Sequence, residues 1–102
     1  MKYAFIINPA SGKGKHKDLE DKINELIESS SKDIKIYYTC GEKDATVLAD
    51  AIAKEAGEEQ VVIFACGGDG TIHEVANGIV GNDNAVLGVI PAGSGNDFVR
   101  TL

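Results

Sequence analysis

One stretch limits what this chain can fold into more than any other: Val61-Val62-Ile63-Phe64-Ala65-Cys66-Gly67-Gly68-Asp69-Gly70-Thr71. Six apolar residues, four of them β-branched or aromatic, read as a strand covered on both faces. Three glycines among the next four residues let the backbone turn sharply and approach a ligand closely. Asp69 sits inside that glycine frame, and Thr71 followed by Glu74 three residues later reads as a capping box at a helix start. The unit is therefore strand, glycine turn, acid, helix N-terminus, the last being an end that favours phosphate.

A strand buried on both faces needs helices above and below its sheet, and the rest of the chain supplies them. Tyr3 to Ile7 reads as a first buried strand, followed by the turn Asn8-Pro9-Ala10-Ser11-Gly12. Leu19, Ile23, Leu26 and Ile27 then mark one face of a helix that Ser29-Ser30-Ser31 weakens. Ile34 to Thr39 is a second strand, alternating at its start as an edge strand does. Asp44 is expected to N-cap a helix whose apolar side runs from Ala45 to Ala56 and which ends at Gly57. After the glycine turn, Ile72, Val75, Ala76 and Ile79 form the core side of a third helix, closed by Gly81. Gly78 in its middle costs about 1 kcal/mol against Ala, which close packing on the sheet would explain. Val86 to Ile90 reads as a fourth buried strand, followed by the glycine loop Ala92-Gly93-Ser94-Gly95-Asn96-Asp97 and the start of another helix at Phe98.

This alternation predicts an α/β fold, a three-layer parallel sheet with flanking helices. Ligands bind beyond the carboxyl ends of such strands. The glycine-bearing loops follow strands one, three and four, which are neighbours in the order 2-1-3-4. In the order 3-2-1-4 the third strand would lie roughly 10 Å from the first. The same order separates Cys40 from Cys66 by a strand, beyond the roughly 7 Å limit for a disulfide, so both are expected to be free.

Composition narrows the function. The net charge of −6 argues against nucleic acid, which wants a basic surface. Lys2, Lys13, Lys15 and Lys17 nevertheless all precede the first acid, Asp18, and three of them flank the first glycine-bearing loop. That clustering suits an anion, although a solvated surface loop would look the same. No apolar run approaches the roughly 18 residues of a transmembrane helix, and no secretory pattern opens the chain, so a cytoplasmic location is expected.

Neither the P-loop pattern nor the dinucleotide fingerprint is present. What remains is three polar glycine turns on one sheet edge, a cradle of backbone donors suited to phosphate oxygens. A lone acid there holds Mg²⁺, directly or through water, or takes the proton of a nucleophilic hydroxyl. Each residue also fits a plainer role. Asp69 serves equally as a turn residue, Thr71 and Glu74 as a capping box alone, His73 as an exposed side chain, and Asn96 with Asp97 as an N-cap. Three such loops together, more than any one residue, point to a ligand.

The segments Asn8 to Gly12, Gly67 to Gly78 and Leu87 to Phe98 resemble the diacylglycerol kinase catalytic domain, in order and spacing, from Ile6 to Leu102. The likeness is greatest to bacterial soluble lipid kinases. It implies transfer of phosphate from ATP, with Mg²⁺, to a lipid hydroxyl such as that of diacylglycerol, by a cytoplasmic protein working at the membrane surface. By the resemblance, Asn8, Pro9, Ala10, Ser11, Gly12, Thr39, Gly68, Asp69, Gly70, Thr71, Ile72, His73, Glu74 and Ser94 match ATP-contacting positions. Asp69 matches the essential acid and is the expected Mg²⁺ ligand, directly or through water. His73 stands where the family usually has Asn, and Ser94 where it usually has Thr. Family members are longer and carry a second, β-rich domain, so residues 1–102 are expected to be the N-terminal nucleotide-binding part of such an enzyme. The remaining Mg²⁺ ligands, the base and most of the lipid pocket would lie beyond Leu102. Alone, these residues are expected to bind ATP weakly if at all and to transfer no phosphate. Two other readings stay open: an NAD kinase-like kinase of a soluble acceptor, and a non-catalytic nucleotide-binding module. A sheet edge left bare by truncation would favour a homo-oligomer.

Overall fold

The structure, a computed structural model, describes residues 1–9, 16–41 and 43–91, with every side chain in those stretches except His16 and Pro91. Among the described residues four strands alternate with three helices: β1 (Lys2–Ile7), α1 (His16–Ser29), β2 (Asp33–Tyr38), α2 (Asp44–Ala56), β3 (Val61–Gly67), α3 (Asp69–Ile79) and β4 (Ala85–Pro91). All pairings are parallel and the sheet order is β2-β1-β3-β4, as the placement of the glycine loops required. No described helix is long and apolar enough to cross a membrane.

Side-chain alternation along the two central strands sorts the core into two layers. Phe5, Ile7, Phe64 and Cys66 face α1 and pack with its Leu19 and Ile23. Ala4, Ile6, Ile63 and Ala65 face the other way, against Ala45, Ala49, Ile52 and Ala53 of α2 and Val75 of α3. On the α1 face the Phe64 ring stacks on Phe5, with centroids 4.6 Å apart and planes 16° from parallel. The ring then reaches across to β4, where a Cβ on Gly88 would lie 2.6 Å from Phe64 Cε1 and closer still to Cδ1. Gly88 is glycine because Phe64 occupies the space its side chain would need.

Four expectations change. β4 is not a buried strand: Val86 is 51% exposed, Leu87 37% and Val89 36%, because β4 has no second neighbour among the described residues. The third helix starts at Asp69, two residues earlier than the Thr-x-x-Glu spacing suggested, with Gly68 as its cap and no capping side chain. The backbone at Gly68 is extended, so the helix winds directly off the glycine turn and Thr71 falls inside the first turn. Asp44 is likewise the first residue of α2 rather than its cap; Lys43 holds that place at φ 64°. The Asp44 carboxylate instead accepts the Cys40 backbone N–H at 2.7 Å and pins the turn that leads into the helix. Finally, Gly78 packs on α2 rather than on the sheet: a Cβ there would lie 2.8 Å from Ala49 Cβ and nearer still to the Thr46 carbonyl oxygen.

Candidate functional site

The strand register sets the site. Tyr38, Ile7, Cys66 and Ile90 form one row across the sheet, so the four connections leave the carboxyl edge side by side. Thr39 N–H donates to the Ile7 carbonyl at 3.0 Å, which extends the β1–β2 ladder by one residue and holds Thr39 beside Asn8. Asn8 is half-buried and Pro9 exposed. The expected contacts Ala10, Ser11, Gly12 and Ser94, with Lys13 and Lys15, lie outside the described residues.

The centre of the edge is the junction of β3 and α3. Gly67 has φ 152°, a value that side chains rarely adopt, and this turns the chain out of the sheet. Gly68 is extended at φ −89° and ψ −173°, and its carbonyl accepts the Ile72 N–H at 3.2 Å to close the first helical turn. The backbone N–H groups at the start of a helix have no partner within it, and the N-cap residue, Gly68, has no side chain to cap them. They carry the positive end of the helix dipole. Gly68, Asp69, Gly70 and His73 are exposed around this point, Ile72 and Glu74 are half-buried, and Thr71 turns inward at 7% exposure.

Gly68 and Gly70 have no explanation inside the described fold. Neither takes a positive φ, and a Cβ on either would meet nothing within 4 Å. Gly70 is also a poor helix former at a place where Ala would do. The open cradle that results lies over the N–H donors of the first helical turn, the form a phosphate site takes. Asp69 stands between the two glycines with its carboxylate in solvent. No three His, Cys, Asp or Glu side chains among the described residues come together as a metal group. One carboxylate still suffices for an ion such as Mg²⁺, which keeps several waters and takes its other ligands from phosphate.

Two residues of this edge escaped sequence reasoning. The Tyr38 hydroxyl donates to the Glu20 carboxylate. Partial burial, then that bond and the Glu20 charge, push the phenol up to about 12. The bond ties the last residue of β2 to α1 across 18 positions, a separation no local pattern reveals. Cys66 is the other: burial alone pushes its thiol up to about 12, and its Sγ lies 3.8 Å from the Phe64 carbonyl oxygen. Both cysteines are free, as the strand order implied. Since the thiolate is the reactive form, one thiol, the exposed Cys40, should react promptly with a disulfide reagent at pH 8. Cys66 should react only on unfolding; two equally fast thiols would show that β3 opens freely.

The diacylglycerol kinase catalytic domain family matches residues 2–102. The diacylglycerol kinase of Bacillus subtilis is 43% identical over 105 residues, which cover 100% of this chain and 33% of that protein. The diacylglycerol kinase of Staphylococcus haemolyticus is 40% identical over 99 residues, covering 96% of this chain and 29% of that one. A crystal structure of a diacylglycerol kinase from Bacillus anthracis superposes with a TM-score of 0.68 at 33% identity, covering 99% of this chain and 33% of the other. The chain thus spans about a third of the length of the relatives it matches. A parallel sheet in the order 2-1-3-4, a glycine turn carrying an acid at its centre and a family match over nearly every residue agree: the chain belongs to the diacylglycerol kinase catalytic domain family.

Proposed function

We propose that residues 1–102 are the nucleotide-binding part of an ATP-dependent lipid kinase that phosphorylates a lipid hydroxyl such as that of diacylglycerol. The family and its curated relatives support the kinase class and favour a lipid over a soluble acceptor. The observation that carries the nucleotide reading is the cradle at Gly68 and Gly70, open above the N–H groups of the first turn of α3, to which Gly68 brings no capping side chain. In this reading the first turn of α3 takes phosphate oxygens. Asn8, Pro9 and Thr39 approach it from the neighbouring strand ends, Ala10, Ser11, Gly12 and Ser94 are the further contacts that the family resemblance implies, and Asp69 would hold Mg²⁺ directly or through water. Mg²⁺ would neutralise charge on the phosphate oxygens. The acceptor oxygen attacks the γ-phosphorus, the bond to the β–γ bridging oxygen breaks, and ADP leaves with that electron pair. The hydroxyl proton goes to a base from another part of the polypeptide. The acceptor pocket belongs to that part too, and the assembled enzyme works at the cytoplasmic surface of a membrane.

Gly70→Ala separates a site from a scaffold. The fold accepts the methyl group, and the helix should gain up to about 1 kcal/mol. Affinity for ATP·Mg²⁺, weak in this chain because the cradle closes on one side only, should nevertheless fall further, since the methyl stands where a phosphate must approach. Thermal unfolding and a titration followed through the α3 amide resonances measure both quantities. A more stable variant with unchanged affinity would remove the cradle from the reading. Asp69→Asn should keep the melting temperature and lose the part of the ATP affinity that depends on Mg²⁺, which titrations with and without the ion compare.

A further inference from the structure

α2 and α3 leave the same edge of the sheet, yet they are not level. Thr46, the third residue of α2, sits against Glu74 and Gly78, the sixth and tenth residues of α3. Its hydroxyl donates to the Glu74 carbonyl at 2.8 Å, in a partly buried position. At about 1.5 Å of rise per residue, the first turn of α3 therefore stands roughly 6 Å beyond the start of α2. This offset exposes Gly68, Asp69 and Gly70; with the helices level, the start of α2 would flank them.

We infer that Thr46 is a positioning residue for the α3 N-terminus, its hydroxyl fixing how far Asp69 and the glycine cradle project from the sheet edge. The inference rests on the reading of that helix start as the phosphate-binding end. The seam has one good register. Gly78 must face Thr46 and Ala49, because a Cβ there would overlap both, and a shift of α3 by one turn toward its C-terminal end would bring the side chain of Glu74 to that place. Gly78 sets that register, and the Thr46–Glu74 hydrogen bond forms only in it and holds α3 against slips smaller than a turn. Thr46 bonds to the backbone of Glu74, more than a turn from Gly68 and Gly70, so its influence passes through the placement of α3.

The test compares Thr46→Val, which keeps the shape and removes the hydroxyl, with Thr46→Ser, which keeps the hydroxyl. The 102-residue chain is used, and the ¹⁵N amide resonances of Asp69 to His73 are read before and during an ATP·Mg²⁺ titration. In Thr46→Val these resonances should move and affinity should fall on the order of threefold to tenfold. Thr46→Ser should match the unchanged chain in both. If Thr46→Val does not fold, Thr46→Ala against Thr46→Ser makes the same comparison with a better helix former. First-turn resonances that stay in place, even with a lowered melting temperature, overturn the inference, because a merely structural bond would behave that way. Resonances that move while the unchanged chain shows no saturable response to ATP·Mg²⁺ uphold the positioning role and count against the nucleotide reading instead.

Discussion

Phe64→Ala should lower the unfolding free energy by about 3–5 kcal/mol, the range for emptying a buried aromatic site. A domain of this size has only about 5–15 kcal/mol in all. Phe64 is 3% exposed, lies on a central strand and stacks between Phe5 at 4.6 Å and Tyr3 at 6.5 Å. Its ring also fills the space that a side chain at position 88 would need. Gly88→Ala alone should therefore destabilise by about 1–3 kcal/mol through overpacking, since Phe5 blocks the retreat of the ring. In a Phe64→Ala background the same change should be close to neutral. Urea unfolding of the two single variants and the double variant gives the coupling between the sites. Additive effects would mean that the ring does not lie over Gly88.

Gly78→Ala should destabilise, against the sign of the same change elsewhere in its helix. At an unhindered helical position, Gly to Ala stabilises by about 1 kcal/mol. At Gly78 the added methyl meets the Thr46 carbonyl oxygen, a backbone atom that cannot rotate aside, and Ala49 Cβ at 2.8 Å. The helices must separate, which breaks the 2.8 Å bond from Thr46 to Glu74 and loosens contact along the seam. A net loss of about 1–3 kcal/mol is expected after the propensity gain. Gly70→Ala is the internal control, eight residues earlier in the same helix and with open space above it. Parallel thermal melts settle the matter: opposite signs support the packing described here, and two stabilised variants would place α3 farther from α2.

Local chemistry wrote the sheet order and the centre of the site into the sequence. Gly67 was legible because a turn at φ 152° admits little else, and the order followed once the glycine loops had to share one edge. What was not legible depends on partners distant in the chain. The Thr71–Glu74 spacing fits a capping box, but the extended backbone at Gly68 lets the helix start at Asp69 and carries Thr71 inside. Gly78 signalled close packing, while whether its neighbour is a sheet or a helix is decided by residues some 30 positions away, Thr46 and Ala49. The apolar run Val86 to Ile90 describes a strand suited to burial, whereas its actual burial depends on what lies beside it. Of the fourteen positions expected to contact nucleotide, ten are described. Asn8, Pro9 and Thr39 follow strand ends that share one edge with Gly68 to Gly70, while Thr71 turns inward and Glu74 lies farther along α3 against Thr46.

The two margins of the sheet differ in kind. β2 carries Asp33 and Lys35 and ends in a hydrogen-bonded tyrosine, so another strand finds charge along it. β4 is Ala-Val-Leu-Gly-Val-Ile-Pro, without a charge. Handling of the chain in solution follows from that asymmetry. Refolding yield should fall as protein concentration rises, even where the melting temperature is comfortable, because an apolar strand with no second neighbour among the described residues recruits further strands in the native state as well as the unfolded one. The remedy is a charge on the strand itself: Val86→Lys, at the most exposed apolar position of β4, should extend shelf life without touching the nucleotide end of the molecule.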